Sequence, residues 1–197
     1  SYTYSKGRDM YVEDKDTDKT VLYVGNYAVE PGQTLDLSQT ELGSGIISFE
    51  DNGSDIICNN VKLSNEKMIY DLTLTPAYGI ALFRYDNQTP EYNFILVGKN
   101  EINNVFYQES YNTGGINIDV YFPGYNVVRP DVNFKGNGSL LLKGGSQAIT
   151  VLGKVSVGCP ITTIPNNNLS NGHKLFLDGI HADSITVKKG VKLDLNV

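Results

Sequence analysis

The sequence predicts an all-β fold, a right-handed parallel β-helix with an N-terminal cap. Three observations predict it: a composition poor in helix formers, strand signals at short intervals, and a strand pattern that returns at long spacing. Ala occurs only five times, against 20 Asn, 20 Gly and 13 Tyr. Ala, Glu, Leu and Lys dominate helices, whereas aromatic and β-branched residues favour strands. No window carries a helical period of apolar residues.

At 197 residues the chain has the length for one well-buried core, so a single domain is expected overall. Its first part, residues 1–45, differs from the rest. It carries the charged run Glu13-Asp14-Lys15-Asp16-Thr17-Asp18-Lys19 and then Val21-Leu22-Tyr23-Val24-Gly25. A solenoid has to cover its open end or pair edge to edge, and a charged leading segment serves as that cap.

Residues 46–197 are expected to form the β-helix. Alternating or β-branched runs follow one another at 46–49, 56–63, 69–74, 79–83, 92–97, 116–120, 138–142, 148–152, 154–157, 174–177, 184–187 and 191–195. Turn residues separate them, and the interval of roughly 8–12 residues is the rhythm of an all-β chain. A two-sheet β-sandwich with the same strand count is the alternative architecture.

A pattern of apolar-x-apolar-x-Gly favours the solenoid. It appears as Phe94-Ile95-Leu96-Val97-Gly98, Leu140-Leu141-Leu142-Lys143-Gly144 and Leu175-Phe176-Leu177-Asp178-Gly179, at separations of 46 and 35 residues. Each interval has room for two coils of about 20 residues. Alternation places Phe94 and Leu96 inside, with Ile95 and Val97 outside. Stacked coils repeat at about 4.8 Å, and the Asn pairs Asn59-Asn60 and Asn103-Asn104, with Asn166-Asn167-Asn168, suit polar ladders at the bends or ordinary turns.

Charge and motifs exclude several classes. Sixteen basic and 22 acidic residues give a net charge of −6, with the basic residues scattered singly, which argues against nucleic acid. The apolar runs fall far short of the ~20 residues that span a bilayer, so no membrane insertion is expected. No basic-plus-apolar leader opens the chain, which reads as a mature fragment. Cys58 and Cys159 are the only cysteines and read as core thiols, with a disulfide as the other option. No Cys or His spacing suggests zinc, and no metal site is assigned. Asp14, Asp16 and Asp18 imitate the start of a calcium loop, but Lys19 and Gly25 stand where an EF-hand needs Gly and Glu. Four glycosylation sequons, at Asn52, Asn87, Asn137 and Asn168, are no more than an Asn-rich chain produces by chance.

The order of the pieces resembles the carbohydrate-binding-domain-containing β-helix proteins that bacteria secrete, which share their architecture with polysaccharide lyases. The resemblance rests on Met10-Tyr11-Val12 through Gly25 and Gly45-Ile46-Ile47-Ser48-Phe49-Glu50-Asp51, similar to a cap and first coil. It continues in the 54–64 segment around Asn59-Asn60, in the 93–102 segment, and at Gly136-Asn137-Gly138-Ser139-Leu140. The resemblance implies a secreted or cell-surface location and polysaccharide as the partner. The aromatic segment 103–133 has no counterpart in it.

That segment supplies the candidate site. Tyr107, Glu109, Tyr111 and Asn112 lie close together in sequence, followed by Tyr121 and Tyr125. A sugar ring offers an apolar face for stacking on Tyr, and its hydroxyls need amide or carboxylate partners at the rim. The expected function is therefore a non-catalytic polysaccharide-binding module, monomeric and without a required cofactor. Catalysis ranks lower. Lyases on this scaffold use calcium held by acidic residues with a Lys or Arg base, and calcium is accordingly the one cation the resemblance would introduce. Arg84 near Asp86 and Arg129 near Asp131 belong to no catalytic motif and read as surface ion pairs. A lyase or hydrolase, and a structural or adhesive spacer, stand as the alternatives.

Overall fold

The computed structural model describes residues 5–6, 21–67, 78–85, 91–104, 114–122, 126–144, 147–164 and 178–196. The chain opens with β1 (Ser5–Lys6), β2 (Val21–Val24), β3 (Tyr27–Val29), β4 (Thr34–Asp36), a 3-10 turn at Leu37–Gln39, and β5 (Gly43–Phe49). A repeating course of strands follows. The first coil holds β6 (Asp55–Ser64) and β7 (Tyr78–Tyr85); the second holds β8 (Glu91–Val97), β9 (Lys99–Asn104) and β10 (Gly114–Phe122), with β11 (Asn126–Val128) folded back on β10. The third coil is β12 (Asp131–Gly136), β13 (Ser139–Gly144) and β14 (Gln147–Val151). The fourth is β15 (Lys154–Val157), β16 (Ile161–Ile164) and β17 (Asp178–His181), and the fifth holds β18 (Ser184–Val187) and β19 (Leu193–Leu195).

Each coil lays its strands parallel on those of the coil before, so the strands gather in three stacks. The first half of β6, then β8, β12, β15 and β18 make the first; the second half of β6, then β9, β13, β16 and β19 make the second. β7, β10, β14 and β17 make the third. The architecture is all-β and solenoid-like. A sandwich joins its neighbours chiefly as antiparallel strands, whereas here the stacked neighbours are parallel and come from successive coils.

Register turns sequence alternation into a core. Ile56, Phe94, Phe134, Val157 and Val187 stand in one column of the first stack. Leu63, Ile102, Leu142, Thr163 and Leu195 form a column of the second, and Ile80, Ile116, Ile149 and Ile180 a column of the third. Phe94 and Phe134 are fully buried, with ring centroids 5.2 Å apart and planes 15° from parallel. Each such side chain contributes about 1.5–3 kcal/mol through burial. As expected, Phe94 and Leu96 face inward while Ile95 is half-buried and Val97 exposed.

The bend between the first and second stacks has a specific cause. Asn60 adopts φ 48°, the sole non-glycine with positive φ among the described residues, and its short polar side chain tolerates that conformation. On the next coil Gly98 takes the corner at φ 70°, where a Cβ would come within 2.0 Å of Asn60 Oδ1. Polar side chains tie coils together at this bend and at the far end of the second stack. Asn100, 3% exposed, accepts from Val61 N at 2.9 Å, and Asn65 Nδ2 donates to Asn104 Oδ1 at 2.7 Å.

The repeat differs from the one expected. The 94–98 motif lies on the first stack, the 140–144 motif on the second, and the last motif runs from residues outside the described ones into β17 on the third. The three are therefore not equivalent positions of successive coils. From Phe94 to its stacked successor Phe134 is 40 residues, whereas Phe134 to Val157 is only 23. A run of alternating apolar residues followed by glycine reports a strand and a bend, and every stack contains both.

Among the described residues, antiparallel pairing is confined to the N-terminal elements and the β10–β11 hairpin. β2 pairs with β3 and covers β7, while β5 pairs with β4 and covers β6. Leu35, Leu37, Leu42, Ile47 and Phe49 close the core beneath them, each no more than 1% exposed. The boundary expected between residues 45 and 46 falls inside β5, which pairs with β6 along its length. The charged run at 13–19 lies outside the described residues.

Candidate functional site

Tyr107, Glu109, Tyr111 and Asn112 fall in 105–113 and Tyr125 in 123–125, outside the described residues. Of the six candidates, Tyr121 alone is placed, and only through its backbone. It lies near the end of β10, in register with Tyr85 of β7 and Val127 of β11. β10 is a central strand, held by β7 on one side and β14 on the other. It separates the two Tyr-rich segments. From Gly114, next to the first segment, to Tyr121 is seven residues of strand, about 23 Å at the usual rise. The two segments thus leave from opposite ends of one rigid strand.

A second polar surface emerges on the outward side of the first stack. Asp55, Asn93 and Asn133 occupy one column, each on the face opposite the buried neighbours Ile56, Phe94 and Phe134. Asn93 Nδ2 donates to Asp55 Oδ1 at 2.8 Å, and Asn133 Nδ2 donates to Asn93 Oδ1 at 3.0 Å. Asn133 Nδ2 also donates to Glu91 Oε1 at 2.6 Å. At the column's start Asn52 Nδ2 donates to Asp55 Oδ2 at 2.9 Å, while Asn52 Oδ1 receives the backbone N–H groups of Ser54 and Asp55. Register continues the column through Ser156 and Thr186.

The hydrogen bonds set the electrostatics. Donation from Asn52, then from Asn93, holds the Asp55 carboxyl below its ordinary range, with Lys135 adding a smaller effect and burial opposing. Each amide and carboxylate retains hydrogen-bonding capacity beyond these contacts, because an amide offers two donors and a carboxylate four acceptor sites. The column is therefore a row of outward-directed hydrogen-bonding groups repeating at the spacing of stacked strands. Asn93 and Asn133 were not among the sequence candidates, although a signal was present. Glu91-Tyr92-Asn93-Phe94 and Asp131-Val132-Asn133-Phe134 are two versions of one acidic-x-Asn-Phe tetrapeptide, and the structure pairs them residue for residue.

Other candidate groups are placed more simply. Arg129 Nη1 lies 3.3 Å from Asp183 Oδ1, a solvent-exposed pair that links the third coil to the fifth. Arg84 lies on β7, and Asp86 is outside the described residues. Cys58 and Cys159 are free and buried, and burial pushes their thiols up to about 12 and about 11. His181 is exposed on β17, and His173 lies outside the described residues. Among the described residues no group of three or more His, Cys, Asp and Glu could hold a metal ion, and no helix is long and apolar enough to cross a membrane. No family model matches the chain, and neither a curated protein nor a solved structure matches it.

Proposed function

We propose that this chain is a non-catalytic polysaccharide-binding module, wound as a right-handed β-helix and displayed outside the cell or on its surface. The handedness follows the strong bias of parallel crossover connections. The observation that carries the reading is the outward column of Asp55, Asn93 and Asn133. A polymer with a regular repeat presents hydroxyls at regular spacing, and a row of amides and carboxylates along the stacking axis presents matching partners. Tyr107, Tyr111, Tyr121 and Tyr125, with Glu109 and Asn112, are proposed as stacking and rim contacts on the segments that flank β10.

The test is retention of the chain on a panel of insoluble and soluble polysaccharides, with and without calcium, scoring both bound protein and released sugar. Asn93→Ala with Asn133→Ala, and separately Tyr107→Ala with Tyr111→Ala, assign any binding to the column or to the aromatic segments. Retention lost in either pair, with the melting temperature nearly kept, supports the reading and names the surface. Release of unsaturated sugars would replace it with a lyase. A chain that no glycan retains would leave the structural or adhesive reading in its place.

A further inference from the structure

The outward face of the first stack carries two chemistries side by side. Strands β6, β8 and β12 form it, each with a described strand on both sides. Alternate residues of a strand share a face and lie about 6.6 Å apart. Asp55, Asn93 and Asn133 therefore have outward neighbours on their own strands, and these are Ile57, Ile95 and Lys135, again in register with one another. Ile57 and Ile95 are half-buried. One step further stands Val97, 42% exposed and in register with Asn59, which on its other side pairs with Ile46, 36% exposed. An aliphatic strip thus runs beside the polar column. On these three described strands no aromatic side chain faces outward, because Tyr92, Phe94 and Phe134 all lie in the core.

The column's remaining hydrogen-bonding capacity is lopsided. Asn133 Nδ2 gives its two hydrogens to Asn93 Oδ1 and Glu91 Oε1, at 3.0 and 2.6 Å, so only its carbonyl oxygen is left for a ligand. Asn93 has given one amide hydrogen to Asp55 Oδ1 and keeps the other, together with a lone pair on its own Oδ1. Asp55 and Glu91 offer acceptors alone at neutral pH. A ligand that fits has to bring more donors than acceptors. A polymer of carboxylates or sulfates brings further acceptors instead, and it meets Asp55, Glu91 and Asp131, against Lys135 and Lys154, in a chain of net charge −6.

We infer that column and strip together select a polymer of N-acetylated amino sugars. The inference rests on the polysaccharide reading above and narrows it to a ligand class. An acetamido group joins the three parts that this surface complements. Its N–H meets the excess of acceptors, and its C=O accepts the remaining amide hydrogen of Asn93. Its methyl group packs on the aliphatic strip, where a hydroxyl would be covered without a partner. A bare pyranose face stacks best on aromatic rings, which these strands do not turn outward. Register repeats the arrangement from one coil to the next, with Asp55 beside Ile57 on β6 and Asn93 beside Ile95 on β8, so successive units of a chain find the same partners. A polymer without the acetyl group uses the column and leaves the strip uncovered.

The experiment uses chitin, cellulose and chitosan, which share one backbone and differ at a single ring carbon that bears an acetamido, a hydroxyl or an ammonium group, with polygalacturonate as the acidic polymer. Retention of the 197-residue chain is measured in salt strong enough to screen its net charge of −6 from the ammonium polymer. Chitin is expected to bind about tenfold more tightly than cellulose or chitosan, the worth of a small apolar group in a fitting site, and polygalacturonate is expected not to bind. Ile95→Ser should bring the chitin-to-cellulose ratio close to one, whereas a merely structural loss would lower both together. Val97→Ser, at an exposed position, should shift the ratio the same way if Ile95→Ser lowers the melting temperature. Equal or stronger retention on cellulose, chitosan or polygalacturonate overturns the inference and leaves the polysaccharide reading standing. So does a preference for chitin that both serine variants leave unchanged, because the acetyl group would then be read elsewhere. Retention on no glycan at all removes the inference and the reading together.

Discussion

Phe134 illustrates how one side chain serves two neighbours. It lies between Phe94 and Val157 in a closed column, so Phe134→Ala removes ring stacking and leaves a cavity. The expected cost is about 3–5 kcal/mol, read as a lower midpoint in urea unfolding. Gly153 is constrained by its neighbour: a Cβ there would sit 1.8 Å from the carbonyl oxygen of Pro130 on the preceding coil. Gly153→Ala therefore has to push two coils apart, at about 1–3 kcal/mol. The Asp55 column adds a pH signature. Asp55 has a lowered folded pKa, so its contribution is present above the unfolded value and is lost as pH falls through the folded one. Asn93→Ala should cost about 1 kcal/mol at neutral pH, and less once pH falls below the ordinary carboxylate range, as paired melting curves at the two pH values would show. Cys58 and Cys159 should both stay unreactive toward a thiol reagent at pH 8 in the folded chain and react on unfolding, since burial withholds both access and thiolate.

Individual strands were legible in the sequence wherever alternation was strong. Tyr92, Phe94 and Leu96 announce β8 and its inward face, and Leu140 and Leu142 do the same for β13. The pairing of those strands was harder to read, because a parallel neighbour is a whole coil away and coil length varies from 23 to 40 residues along the first stack alone. No constant period exists for the eye to follow. Asn93 and Asn133 show the better signal, a short tetrapeptide repeated in chemistry instead of a hydrophobic pattern repeated in spacing. The aromatic candidates depend on segments at either end of β10, and their sequence reveals composition alone; which side chains converge depends on loop paths that alternation does not encode. At this scale β10 makes its own prediction. Gly115→Val should disturb it, because an added Cβ already meets Ala148 O and Leu142 Cδ2 at 3.0 Å. A far-ultraviolet spectrum that weakens together with a lowered melting temperature would show that the strand joining both Tyr segments is part of the cooperative core.

Across the whole molecule, contacts run chiefly between each coil and the next, so stability is close to a sum of layer and interface contributions. Among the described residues, antiparallel strands cover the first coil, and β18 and β19 are the last strands of the stack. This layering also gives the protein a direction under load. Hydrogen bonds between parallel coils point along the stacking axis, so tension along that axis strains one interface at a time, as a zip opens, and not many bonds in shear. Extension would proceed in discrete jumps set by coil length: about 80 Å for the 23 residues between Phe134 and Val157, and about 140 Å for the 40 between Phe94 and Phe134. A tether built this way would lengthen unevenly, in long and short steps that follow the order of its coils.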